Sequence, residues 1–392
     1  MKKESTGTEL PTGLYVHIPF CVAKCPYCDF YSVAVGSCDT DRFLAALVKE
    51  MDRYNWLDSV QTIYVGGGSP SCLGRDQLEW LVKQLTQRFS NFQSFELKSS
   101  DSLEFTLEVN PAQIDGPRLE RLRRLGVNRL SVGAQSFNQA ELDFLGRPYS
   151  PDDIVGLIKS ARAVGFDNIN LDLIFASPNS TEKSWRNSLE QALAIEPQHI
   201  SAYSLSIEKN TPFARRLKKG EFSLVDEQTD RAMYESAVGL LGQVGLEQYE
   251  ISNFAQRGFL CRHNLTYWNN QPWIGIGPAA ASYFNHCRTQ NVADVDAYIA
   301  AIEAGQSPPA QRHTCDKQNV ACETAVLMLR LVRGIDLALF TRQTSCDVLK
   351  LFAEPIERYN NLGLLKIDEK SIALTDQARP IADSILCDFA DL

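Results

Sequence analysis

Apolar residues recur along this chain with two periods that take turns. The stretch Gly13-Leu14-Tyr15-Val16-His17-Ile18-Pro19-Phe20 alternates and is rich in β-formers, so it reads as a strand. Residues 39–57 then open on an acidic residue and place Phe43, Leu44, Leu47, Met51 and Tyr54 at helical spacing. The same pair repeats. Strands are expected over 62–65, 103–111, 129–136, 168–176 and 199–208, with helices over 76–89, 119–125, 154–164, 185–195 and 226–241. Such strand–helix alternation specifies a parallel α/β sheet with helical crossovers. A closed eight-fold barrel needs two more units, and the rhythm is lost after Gly245. The expected fold is therefore an incomplete (β/α)6 TIM-like barrel over residues 13–255, behind an N-terminal tail over 1–12. A doubly wound sheet fits the same alternation. In either fold ligands gather at the C-terminal ends of the strands.

Residues 256–308 read as an irregular connecting region, and 309–392 as a compact C-terminal domain. There, helices over 323–333 and 347–360 precede a hairpin over 363–367 and 371–375 and a last helix over 377–389. Helices followed by a hairpin wing are winged-helix-like. No basic stripe accompanies them, so a packing domain without nucleic-acid contact is preferred.

Composition narrows the function. Hydrophobic residues make up 44% and charged residues 22% of the 392, as in ordinary globular chains. A net charge of -9 argues against a general nucleic-acid binder, which needs a basic face. The arginines at 121, 123, 124 and 129 read as an exposed helix end and its loop. No run of 18 apolar residues offers a transmembrane segment, although peripheral membrane contact stays open. Eleven cysteines, an odd total, without a signal peptide point to a reducing cytoplasmic location.

Three of those cysteines crowd into Cys21-Val22-Ala23-Lys24-Cys25-Pro26-Tyr27-Cys28, directly after the first strand. A CxxxCxxC loop can wrap one corner of a cubane, because each thiolate reaches a different iron. Clusters of this kind normally use four thiolates. Only three are local, and Phe30 stands where a fourth could follow, so one iron is left open to another ligand. The alternative is a structural zinc loop, for which no second half-site follows at normal spacing. Glu108 sits between Leu107 and Val109, so its side chain points away from the helices and into the barrel. A carboxylate there is costly unless something binds it.

This spacing resembles the radical S-adenosylmethionine (SAM) superfamily, in which SAM chelates the open iron of a [4Fe-4S] cluster. The stretches LYVHIPFCVAKCPYCDFYS, YVGGGSPS, TLEVNP, LSVGAQSFNQAELDFLGR, INLDLIF and YSLSIEKNTPF together resemble the HemN/HemW family over about residues 13–290. The resemblance implies metal ligation by Cys21, Cys25 and Cys28, and SAM contacts from Tyr15, Tyr27, Gly66, Gly67, Gly68, Glu108, Gln135, Arg147 and Asp172. Glu108 and Asp172 would bond ribose or amino groups, and Arg147 a carboxylate.

Two features point to the HemW branch: Phe30 in place of a fourth cysteine, and only twenty residues before Cys21. A third is HNLTYW at 263–268, similar to a motif associated with haem binding, which implies His263 as a haem ligand. Cys261 and the His286-Cys287 pair are lesser ligand candidates. The implied function is that of a haem chaperone, whose partners are haem, an acceptor haem protein and an electron donor to the cluster. The alternatives are oxygen-independent coproporphyrinogen III oxidation, or another radical SAM activity with HNLTYW purely structural. The chain also departs from the family pattern. Pro148-Tyr149 follows LGR in place of x-His, and Ala176 and Asn179 replace two glycines of a DLIYGLPGQT-like run.

Overall fold

A computed structural model describes residues 12–54, 57, 60–89 and 103–390, so all of the expected tail except Thr12 lies outside the described residues. Six parallel strands come first: β1 (Gly13–Ile18), β2 (Thr62–Gly67), β3 (Glu104–Val109), β4 (Arg129–Gln135), β5 (Ile169–Phe175) and β6 (His199–Ser204). They lie side by side in chain order, each hydrogen-bonded in parallel to the next. A doubly wound sheet reverses its order at a switch point, and this one does not. With right-handed crossovers, unreversed order puts every connecting helix on the same outer face.

Side chains alternate accordingly. Leu14, Val16, Ile63, Val65, Phe105 and Leu107 are buried against the helices in one continuous core. Their neighbours Tyr15, His17, Tyr64, Glu108, Ser131 and Asp172 face the other way, so the concave face is polar. A polar interior of this kind is suited to binding rather than to packing.

Residues 245–314 carry more order than their pattern predicts. β7 (Glu247–Gln248) and β8 (Asn253–Ala255) extend the sheet antiparallel beyond β6. At the opposite side β9 (Trp273–Ile276) pairs in parallel with β1. Three antiparallel strands continue from it: β10 (Ala281–Phe284), β11 (Cys287–Asn291) and β12 (Pro309–Thr314). The region read as a connector is thus built into the main sheet. Its strands are mostly short, and none of them carries a sustained alternation of apolar and polar residues. The sheet stays open, with β7 and β12 as its edges, and no barrel closure occurs among the described residues.

The C-terminal unit has its own core around Ala325, Phe340, Phe352, Ile372 and Phe389. The expected hairpin pairs β14 (Leu365–Ile367) with β15 (Ser371–Leu374), and β13 (Ile335–Asp336) adds a third strand. One earlier reading is corrected. Arg129 is not part of an exposed loop; it opens β4 and is buried, while Arg121, Arg123 and Arg124 end the helix Gly116–Arg124 as expected.

At the end of β5 the backbone keeps a left-handed shape without its glycines. Ala176 has φ +56° and Asn179 φ +66°. Asn tolerates this region, whereas Ala carries a steric penalty of about 1–2 kcal/mol. Ala176→Gly should therefore raise unfolding stability by about 1 kcal/mol once the added chain entropy is offset. Asn179→Gly should change it little, and chemical denaturation of the two variants checks the contrast.

Candidate functional site

The suggestive residues converge at the C-terminal ends of the parallel strands. Beyond β1, the short pair Phe20–Cys21 and Val33–Ala34 zips the cysteine loop closed in parallel register. Val33 N–H donates to the Pro19 carbonyl at 2.7 Å and Val35 N–H to the Cys21 carbonyl at 2.8 Å. Inside the loop Cys28 N–H turns back to the Cys25 carbonyl at 3.1 Å. All three thiols are free and partly exposed. Burial pushes the Cys21 and Cys28 thiols up, so a bound cation would be needed to hold them as thiolates. Among the described residues no three His, Cys, Asp or Glu side chains converge on a point suited to a single ion. A cubane asks something different, one thiolate for each of three separate irons. Three free thiols in one loop are the donor set that such a cluster would take.

His17 holds this loop to the barrel. Its Nε2 lies 3.0 Å from the Tyr31 carbonyl, which can only accept, so Nε2 carries the proton. Nδ1 then accepts from the Tyr15 hydroxyl at 3.0 Å. Burial lowers the pKa of the ring and keeps it neutral, as this arrangement requires.

The glycine run after β2 is dictated by contact on every side. A Cβ on Gly66 would come within 2.6 Å of the Glu108 carboxyl carbon. On Gly67, whose φ is +105°, it would meet the His17 ring at 2.5 Å; on Gly68 it would meet the Phe20 carbonyl oxygen at 2.5 Å. The run is thus the floor on which the cysteine loop and Glu108 both rest.

Glu108 itself accepts from the Tyr64 hydroxyl at 2.8 Å and from Gly67 N–H at 3.2 Å. Burial, and secondarily the nearby Asp172 charge, raise its pKa to about 7. Asp172 accepts from Ser131 Oγ at 3.1 Å and Asn170 Nδ2 at 2.9 Å, and burial raises its pKa too. Gln135 ends β4 in a left-handed turn at φ +65°. Across the mouth Arg147 donates to the Tyr27 hydroxyl through both Nε and Nη2, and to Asn110 Oδ1 at 3.2 Å. Two carboxyls, one guanidinium and a bare glycine rim can hold a zwitterionic ligand. Its ammonium would face the carboxyls and its carboxylate the arginine.

His263 lies elsewhere. HNLTYW falls on the short helix Arg262–Trp268, whose first amides donate to the Glu104 carboxylate at 2.9 and 3.0 Å. Its ring reaches Thr62 Oγ1 through Nδ1 at 2.8 Å and Tyr267 Oη through Nε2 at 2.7 Å. It also rests on Gly13, where a Cβ would lie 3.3 Å away. Gly13, Thr62 and Glu104 are the first residues of β1, β2 and β3, so the motif plugs the N-terminal mouth of the barrel, opposite the cysteines. The residue is 1% exposed, and burial drives its pKa to about 3. Both ring nitrogens are occupied, so the expected role as a haem ligand does not fit this geometry. Cys261 and Cys287 are buried as well, and burial pushes the Cys261 thiol up to about 12.

Comparison with known proteins agrees with this architecture. The radical SAM superfamily pattern matches residues 15–192, and the HemN C-terminal domain pattern matches 315–381. The solved structure of coproporphyrinogen III oxidase HemN from Escherichia coli shares the fold, with a TM-score of 0.82 at 24% identity. It covers 97% of this chain and 90% of that one. The heme chaperone HemW of Bacillus subtilis is 34% identical over 378 residues, covering 96% of this chain and 98% of that protein. HemW of Lactococcus lactis is 32% identical, with 97% of each chain covered. The chain belongs to the HemW family of radical SAM proteins.

Within this HemW-family chain several site residues escape a reading based on motifs alone. His17, Tyr64, Glu104 and Asn170 are each flanked by apolar residues, and each orients a neighbour rather than matching a cofactor motif. Their signal was the alternation itself, which sends every polar strand residue to the concave face. The departure at Pro148-Tyr149 also finds a role: the buried Tyr149 donates its hydroxyl to the Gly133 carbonyl and pins the turn that carries Gln135.

Two outcomes follow from the geometry. Glu108 has a folded pKa of about 7 against an ordinary 4.5, so its contribution to stability is complete below pH 4.5 and is lost as pH rises through about 7. The loss is roughly 3 kcal/mol, and Glu108→Gln should flatten that part of a stability–pH profile measured by denaturant titration. His263→Ala should cost about 3 kcal/mol by leaving a cavity under β1 and β2. Wild-type stability in that variant would refute the plug role.

Proposed function

We propose that this protein is a cytoplasmic haem chaperone that carries a [4Fe-4S] cluster and SAM, binds haem and passes it to an acceptor haem protein. The likeness to HemW chaperones along nearly the whole chain carries this reading. Phe30 supports it: the side chain two positions beyond Cys28 is 65% exposed and offers no fourth thiolate there.

In this reading Cys21, Cys25 and Cys28 would each hold one iron of the cluster, which leaves one iron without a protein thiolate. A cluster held there and reduced by an electron donor would contribute one-electron chemistry toward SAM. The chain's own residues bind and orient. Gly66, Gly67 and Gly68 present backbone to the amino group of SAM, and Glu108 and Asp172 bond its amino or ribose groups. Arg147, steadied by Tyr27 and Asn110, pairs with its carboxylate. Tyr15 and Gln135 complete the walls. With a pKa of about 7, Glu108 would release a proton as an ammonium docks beside it.

The test compares oxidation with delivery. Anaerobically reconstituted protein given coproporphyrinogen III, SAM and a reductant should form no protoporphyrinogen IX. The same preparation should bind haem and pass it to an apo-haem protein, followed by absorbance. Robust turnover without haem transfer would overturn the chaperone reading in favour of the oxidase.

A further inference from the structure

Arg147 and the glycine rim belong to segments far apart in the chain, yet one polar brace joins them. Asn110, the residue after β3, stands between the two. Arg147 Nη1 donates to its Oδ1 at 3.2 Å, and its Nδ2 donates to Ser69 Oγ at 2.7 Å. A guanidinium can only donate, so the carboxamide has one possible orientation. The Asn110 backbone N–H donates to Ser71 Oγ at 3.2 Å. Ser69 and Ser71 thus each accept one proton, and each gives its own to Gln113 Oε1, at 2.6 and 2.8 Å. The brace therefore has a single polarity, from Arg147 to Gln113. Since Ser69 directly follows Gly68, its far end is the rim itself.

The surroundings leave this brace little freedom. Residues 110–113 form a tight turn, in which Gln113 N–H donates to the Asn110 carbonyl at 3.3 Å. Pro111 takes its second position and Ala112 its third, in the left-handed region at φ +61°. An alanine is strained there, and the turn brings Gln113 back to both serines. On the other side buried Arg118 donates through Nη1 to the Ser71 carbonyl at 2.9 Å and through Nη2 to the Leu73 carbonyl at 2.8 Å. From β4, a Cβ on Gly133 would lie only 3.0 Å from Asn110 Oδ1. The Arg147 end is equally defined. Nε and Nη2 donate to the Tyr27 hydroxyl and Nη1 to Asn110, which leaves one N–H on each Nη without a partner among the described residues. Two remaining donors on neighbouring nitrogens are what a carboxylate needs for a bidentate contact.

We propose that Asn110 is a positioning residue for the cofactor site. It fixes the Arg147 donors relative to the glycine rim, so that the carboxylate and ammonium of one amino-acid group are met together. The site thereby selects SAM over the same sulfonium without its carboxylate. The assignment rests on the reading in which Arg147 pairs with the SAM carboxylate. A neutral amide suits the task, because an aspartate in its place would hold the guanidinium but cancel its charge.

Titration of the anaerobically reconstituted full chain with SAM and with decarboxylated SAM tests the role, and the ratio of the two affinities is the readout. Asn110→Leu removes the acceptor at similar volume, and the ratio should fall about tenfold through weaker SAM binding alone. Cluster iron content and affinity for decarboxylated SAM should match wild type. Asn110→Asp keeps size and acceptor, so its fold is safer, and the ratio should fall there too. Arg147→Met should also lower the ratio, and adding Asn110→Leu to it should change nothing further, because Asn110 acts through the guanidinium. An unchanged ratio in either Asn110 variant, equal losses for both ligands, or additive losses in the double variant would overturn the assignment. A low ratio in Arg147→Met would in that case leave the arginine reading standing. A wild-type ratio in Arg147→Met would overturn both.

Discussion

Buried polar groups inside a barrel are costly unless they find partners, and one line of contacts supplies several of them from floor to mouth. His263 stacks on Tyr64 with ring centroids 5.2 Å apart. Tyr64 donates to Glu108, and Glu108 accepts from Gly67, against which His17 is packed; the next residue, Gly68, backs onto Phe20 at the entry to the cysteine loop. Both ring nitrogens of His263 and the hydroxyl of Tyr64 are engaged along this line, which ends at Glu108 and the glycine rim. The binding end of the barrel is set by what the lower strand residues have already been used for.

This arrangement separates two tasks that sequence motifs place side by side. The N-terminal mouth of a (β/α) barrel is ordinarily the face of stability and the C-terminal mouth the face of chemistry. HNLTYW belongs to the first face and CxxxCxxC to the second. The floor is nevertheless not isolated. Tyr267 lies edge-on to Trp273 at 4.7 Å, Trp273 lies 5.6 Å from Tyr283, and Arg288 stacks on both outer rings. A continuous aromatic ladder thus runs from Tyr64, behind Glu108, through His263, Tyr267 and Trp273 to Tyr283 on β10. Packing of this kind carries displacement between sites only if its members have two arrangements. What the ladder establishes is contiguity.

The fold was legible wherever a strand was long enough to alternate. β1 to β6 and their helices lie within a few residues of their expected positions, because one buried face and one polar face leave a period of two. β9 was not legible: Trp-Ile-Gly-Ile carries no alternation, and its place beside β1 depends on a pairing some 260 residues away in sequence. The cysteine loop was readable from spacing because metal ligation fixes residue type and interval together. His263 was misleading for the opposite reason. A histidine among aromatic residues has the same local pattern whether its nitrogens face a metal or a hydroxyl, and Thr62, which decides the matter, is 201 positions away. The inward direction of Glu108 followed from its apolar neighbours alone.

The separation also constrains chemistry. In a radical SAM site the reacting group must lie against the SAM at the C-terminal mouth, since reactive intermediates demand close positioning and exclusion of water. An oxidase needs its substrate at the mouth itself. The barrel that oxidase and chaperone share does not by itself decide between the two purposes, and neither does a cysteine loop at its mouth.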